Sequence, residues 1–128
     1  MTKITDKDRV DSLIKHFWKN GFLTISRKHG IYLPEPNPIG EYEVDAVGKL
    51  NKKYVLGITL TKEDLKNPNI LKKITFLANQ KSKYSMKKVT LFIGCSEEIR
   101  PEIENFLLQI NEDLRKNIKI VTTTNNDV

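Results

Sequence analysis

The sequence predicts an α/β domain, a mixed β-sheet flanked by helices with the element order α-β-β-β-α-β-α-β. Three observations lead to this. Apolar residues recur at helical spacing in three separate stretches, and a polar turn joins two strand-like runs in the middle of the chain. The last third then alternates apolar run, helical stripe and apolar run, which needs crossover connections and so a parallel part of the sheet. At 128 residues the chain has the length of one domain, expected over residues 1–122, with residues 123–128 as a tail.

The first element is an amphipathic helix. Thr5 and Asp8 have capping-box spacing, with Asp in place of Glu. Val10, Leu13, Ile14, Phe17 and Trp18 form one apolar stripe, which places Trp18 in the core, and Asn20-Gly21 stops the helix. Residues 22–26 read as a short strand. Residues 27–40 hold Pro34, Pro36 and Pro38 with two glycines and read as an irregular connection. Residues 41–48 and 54–61 are two strands joined by a turn over residues 49–53. Asp64 or Asn69 caps a helix whose buried side is Ile70, Leu71, Ile74, Leu77 and Ala78. Residues 89–94 are almost wholly apolar, as in a strand buried on both faces. Pro101 suits the first turn of a third helix, with Ile103, Phe106, Leu107, Ile110 and Leu114 along its stripe. Residues 118–122 close the sheet.

Composition narrows the function classes. Lys+Arg number 22 and Asp+Glu 16, a net charge of +6. The charge is concentrated: residues 49–88 carry eleven lysines against Glu63 and Asp64, a net +9, which leaves −3 for the remainder. Such a stretch suits an anionic partner, most simply nucleic acid. One cysteine excludes an internal disulfide, and with two histidines it excludes a Cys/His zinc cage. No apolar run approaches the ~18 residues of a membrane span, and the first residues lack a secretory apolar region, so an intracellular protein without a membrane partner is expected.

The strand over residues 41–48 carries three acids at period two, Glu41, Glu43 and Asp45, which would share one face. Folding the hairpin about Asn51 sets Asp45 opposite Gly57. Val55, Gly57, Thr59 and Thr61 then share the face of the acids, while Leu56, Ile58 and Leu60 point to the core.

This arrangement resembles the PD-(D/E)XK nuclease superfamily, with its restriction-endonuclease-like fold, and is similar to small archaeal or archaeal-virus members, including ones like Holliday-junction resolvases. The likeness spans residues 5–122 and is sharpest over Glu43-Val44-Asp45-Ala46-Val47 and Tyr54-Val55-Leu56-Gly57-Ile58-Thr59. It implies a cytoplasmic DNA-binding protein, in the host cytoplasm if viral, acting as a homodimer. It also implies a divalent metal, Mg²⁺ or Mn²⁺, held at Asp45 with Glu43 as an auxiliary acid. In the family the second strand offers an acid, a spacer and a lysine. Here Gly57 stands at the acid's position and Thr59 at the lysine's. Lys53 or Lys62 could supply the missing charge, and Glu43 or Glu63 the missing carboxylate. Magnesium depends on hard oxygen ligands, so the departure implies a degraded metal site and weak or no phosphodiester hydrolysis. The alternative is a non-catalytic interaction or structural module that retains the fold. Lys52, Lys53, Lys72 and Lys73 are the expected phosphate contacts.

Other candidates are weaker. Cys95 ends an apolar strand ahead of a helix, and a small buried residue is expected there rather than a nucleophile. His16 is expected on the exposed side of the first helix and His29 in a loop, and two histidines with no third partner define no metal site. There is no glycine-rich phosphate loop.

Overall fold

The computed structural model describes residues 5–82 and 87–123. Lys83 of the lysine run and residues 124–128 of the expected tail lie outside them. The elements are α1 (Asp6–Lys19), β1 (Leu23–Arg27), β2 (Ala46–Leu50), β3 (Lys53–Thr59), a single 3₁₀ turn (Asp64–Lys66), α2 (Ile70–Ala78), β4 (Thr90–Cys95), α3 (Arg100–Leu107), α4 (Glu112–Arg115) and β5 (Ile118–Thr122). They form the expected α/β fold with a five-stranded mixed sheet. Strand order is β1-β2-β3-β4-β5. The pairs β1–β2 and β2–β3 are antiparallel, and β3–β4 and β4–β5 are parallel.

Each face of the sheet is covered, and side-chain alternation sorts the core into two layers. On one face Val10, Leu13, Ile14 and Phe17 of α1 pack over Ala46, Val55, Phe92 and Val121. On the other, Ile70, Ile74 and Leu77 of α2, Ile103 and Leu107 of α3 and Leu114 of α4 pack over Leu56, Ile58, Leu91 and Ile93. The residues 55 and 57 side of β3 is therefore a second core face beneath α1, not the open face expected from the sequence. Thr5 caps α1 in a full capping box with Asp8: the Asp8 amide donates to Thr5 Oγ1, and the Thr5 amide to Asp8 Oδ2.

Several local expectations are corrected. The β2–β3 turn is tight, because Asn51 takes the left-handed region at φ 54° and lets the strands run on to Leu50 and Lys53. The register is thereby one residue off the expected one, with Ala46 opposite Gly57. Residues 41–45 are not strand: Ile39 and Tyr42 form an isolated bridge around Gly40, and the chain bends at Asp45. Glu41, Glu43 and Asp45 therefore do not line one strand face. The third helix is interrupted at residues 108–111, where Asn111 accepts the Asp113 amide and starts α4. Its apolar residues Ile103, Leu107, Ile110 and Leu114 are nonetheless buried. Finally, Trp18 is 66% exposed. It stands seven residues beyond Asp11, which reaches Arg27 in β1, so it lies on the flank of α1 over edge strand β1 and misses the core.

Thr123, expected to begin a loose tail, is buried and donates its amide to Cys95 O. Asp64 does not cap α2; it accepts the amide and hydroxyl of Thr61. The N-cap of α2 is Asn69, which makes no side-chain capping bond.

Candidate functional site

Asp45 sits where β2 begins, beside the end of β3, because its amide donates to Gly57 O. Its Oδ2 accepts both the Thr59 amide, at 2.7 Å, and the Thr59 hydroxyl, at 3.1 Å. Its Oδ1 lies 3.6 Å from Lys28 Nζ, and the same ammonium is 3.2 Å from Glu43 Oε2. Two of the expected site residues, Asp45 and Thr59, are thus brought together, and Glu43 joins them through Lys28. Partial burial pulls the Lys28 pKa down, but the nearby Asp45 and Glu43 carboxylates outweigh it and hold it above the ordinary lysine value. An ammonium therefore lies between the two acids.

This donor set does not fit a divalent metal. A magnesium centre draws on carboxylate oxygens left free to turn toward the ion. Here Asp45 spends one oxygen on Thr59 and has Lys28 at the other, while the Glu43 side chain is 72% exposed. Nor can a second carboxylate be supplied from position 57. A Cβ on Gly57 would lie 2.7 Å from Leu13 Cδ2 and 2.8 Å from Phe17 Cζ, both fully buried. Helix α1 rests directly on the backbone there, and only glycine leaves room. Among the described residues no group of three or more His, Cys, Asp or Glu is placed to hold a metal ion.

The remaining candidates are dispersed. Lys62 lines a separate cleft of about 250 Å³ with Arg9, Thr61, Ser96, Glu98 and Thr123, beyond the carboxyl ends of the parallel strands. Glu63 pairs with Lys66 on the surface. Lys52 and Lys53 are at the β2–β3 turn, whereas Lys72 and Lys73 are in the first turn of α2, reached from the far end of β3. The two lysine pairs do not form one patch.

A different set of lysines does converge. The C-terminal turn of α1, the β2–β3 turn and the starts of β4 and β5 all lie at the end of the sheet where the parallel strands begin. Lys119 Nζ donates to Asn20 Oδ1, and a side chain at Gly21 would touch Leu50 Cδ2. The pairing of Val55 with Thr90 carries Lys53 and Lys88 to the same level. Residues 15–21, 49–54, 87–90 and 117–122 contribute Lys15, Lys19, Lys49, Lys52, Lys53, Lys87, Lys88 and Lys119, all exposed, and contain no acid. More of the acids lie toward the opposite end, Asp6, Asp8 and Asp11 on the first half of α1, Glu43 and Asp45 before β2, Glu63 and Asp64 after β3 and Glu97 and Glu98 after β4, although Glu112 and Asp113 of α4 precede the start of β5. One end of the strands is thus rich in lysine, while the other is mixed, with Lys7, Arg27, Lys28 and Lys66 paired among its acids.

Compared with known protein families, curated proteins and solved structures, the chain matches none. Two residues escape a reading by motif. Lys28 follows β1 in the basic run Arg27-Lys28-His29 and meets Asp45 only through the fold, and Trp18 is displaced from the core onto the rim of the basic end.

The histidines and the cysteine fall elsewhere. His16, expected to face solvent, is half-buried with Nε2 2.8 Å from Thr122 O. His29 pairs with Asp6 Oδ2 at 2.8 Å. Cys95 is buried as expected, and burial pushes its thiol up to about 11, outweighing the Arg100 charge that pulls it down. A thiol so placed is a packing residue. Among the described residues no helix is long and apolar enough to cross a membrane.

Proposed function

We propose that this chain is a nuclease-like DNA-binding domain of the PD-(D/E)XK type that holds nucleic acid without cutting it efficiently. The observation that carries the proposal is the basic end of the sheet, where four segments distant in sequence bring eight exposed lysines together, against Glu112 and Asp113 of α4. Such a surface attracts phosphate and releases counterions on binding. Loss of hydrolysis follows from the other end. Glycine stands at position 57 beneath Leu13 and Phe17, and Lys28 lies between Asp45 and Glu43.

A mobility-shift titration of the full chain with duplex and single-stranded DNA at 50 and 200 mM salt tests binding. Each phosphate contact is expected to add about −0.9 to the logarithmic salt slope on duplex and about −0.7 on single strands. Affinity indifferent to salt would overturn the proposal. Incubation of supercoiled and four-way-junction DNA with Mg²⁺ or Mn²⁺ tests the chemistry. Weak or no cutting is expected, and efficient cutting abolished by Asp45→Ala would refute the degraded site.

One observation favours a second reading, an interaction module for another protein. In the connection after β1, Ile31 is 84% and Tyr32 95% exposed, an apolar tip that nucleic-acid binding leaves unused. If the chain fails to bind either form of DNA at low salt, this reading replaces the first.

A further inference from the structure

Trp18 lies on the last turn of α1 with two thirds of its surface open, at the rim of the basic end. Lys15 and Lys19 share that end of α1, and the Leu50–Lys53 turn reaches it where Leu50 approaches Gly21, whereas Lys119, on β5 at the far edge of the sheet, meets Asn20 instead. Leu50 is also part-exposed there and lies next to Gly21. A large aromatic ring among lysines has the two components of single-strand recognition: cations that follow the phosphates and a flat surface on which an unpaired base stacks. Paired bases bury their faces in the helix stack, so a duplex offers the ring nothing comparable, whereas a single strand offers a face at every nucleotide.

We propose that Trp18 is a base-stacking platform and that the occupant of the basic end is single-stranded nucleic acid. Charge selects the occupant: residues 15–21 and 49–54, which meet at this corner, carry Lys15, Lys19, Lys49, Lys52 and Lys53 and no acid, which suits a polyanion. The inference rests on the nucleic-acid reading above and deepens it by naming the strand form and the residue that reads it.

Trp18 is the sole tryptophan, so intrinsic fluorescence reports on this one position. Titrating the full chain with an oligothymidylate of about 12 nucleotides should quench that emission saturably, and a duplex of the same length should not. Stacking of one base is worth about tenfold in affinity. By anisotropy of a labelled oligothymidylate, Trp18→Ala should therefore bind about tenfold more weakly at unchanged salt slope, with Trp18→Phe intermediate. Lys53→Ala should instead flatten the slope. As an exposed residue, Trp18 can be replaced without unfolding the chain, which circular dichroism checks. If both DNA forms bind with a steep salt slope but without quenching, and Trp18→Ala binds as tightly as the parent, the stacking inference fails while the DNA-binding reading stands. If neither form binds, both fail. If emission shifts to the blue with protein concentration alone and sedimentation shows a doubled mass, Trp18 is covered by a second copy and the inference is overturned.

Discussion

A carboxylate kept for metal binding and one kept for structure respond oppositely to removal. An acid awaiting a cation repels its neighbours, so its loss tends to stabilise the fold. Asp45 instead accepts the Thr59 amide and hydroxyl and faces Lys28. Asp45→Ala should lower stability in urea by about 2 kcal/mol, the usual cost of leaving part-buried donors unpaired, and a stabilised variant would contradict the structural role. Lys28→Met should cost less, since Thr59 continues to satisfy Asp45. Cys95 gives the second test at this scale. Its thiol is shifted from the ordinary 9 up to about 11, so folding favours the protonated form. The stability this contributes is complete below pH 9 and disappears as pH rises through 11. A thiol reagent at pH 7.5 should label the unfolded chain rapidly and the native chain hardly at all.

At the scale of elements, the contact of α1 with the sheet decides what the hairpin can carry. Leu13 and Phe17 descend onto the backbone of β3 at Gly57, and Phe17 also approaches Gly48 of β2. Gly57→Ala should cost about 1–3 kcal/mol in a urea titration, as overpacking does. Gly57→Glu should cost more because it also buries a charge, and it should not raise Mn²⁺ affinity in calorimetry, although it places an acid where the motif that the sequence resembles has one. Tight metal binding by a folded Gly57→Glu variant would show that α1 can yield there. The break between α3 and α4 has a simpler cause. Asn111 offers a capping oxygen to the Asp113 amide, and the chain turns without losing the buried series Ile103, Leu107, Ile110 and Leu114.

Over the whole molecule, exposed lysines are densest at the end where the parallel strands begin. Eight exposed lysines stand where β3, β4 and β5 begin, alongside Glu112 and Asp113 of α4, whereas acids and cations are interspersed where the strands end and where α1 starts. A polyanion should be drawn most strongly to the lysine-rich end. Replacing Lys52 and Lys53 with alanine should therefore flatten the salt slope of DNA binding by about 2, roughly one for each lost phosphate contact. Replacing Lys62 and Lys66, beyond the carboxyl ends, should change it by much less. Equal effects from both pairs would mean that binding is diffuse.

The pattern of residues by itself determined the element order, the two-faced burial of β4 and most of the core. Val10, Leu13, Ile14, Phe17, Ile103 and Leu107 are all buried as their spacing requires, because helical and strand periods are local and operate over a few residues. The neighbourhood of Asp45 was legible only in part: Thr59 lay within a one-residue slip of the expected register, whereas Lys28 belonged to no motif. Tertiary structure alone decided the rest. A left-handed Asn51 shifted the hairpin by one residue, a bend at Asp45 took Glu41 and Glu43 off the strand, and the edge of the sheet left Trp18 with nothing to cover it. The lysines of α1, the hairpin, β4 and β5 share one end of the molecule only because the sheet aligns the starts of its parallel strands. Periodicity assigns a residue to a side of its own element, and whether anything lies on that side depends on contacts between residues far apart in the chain.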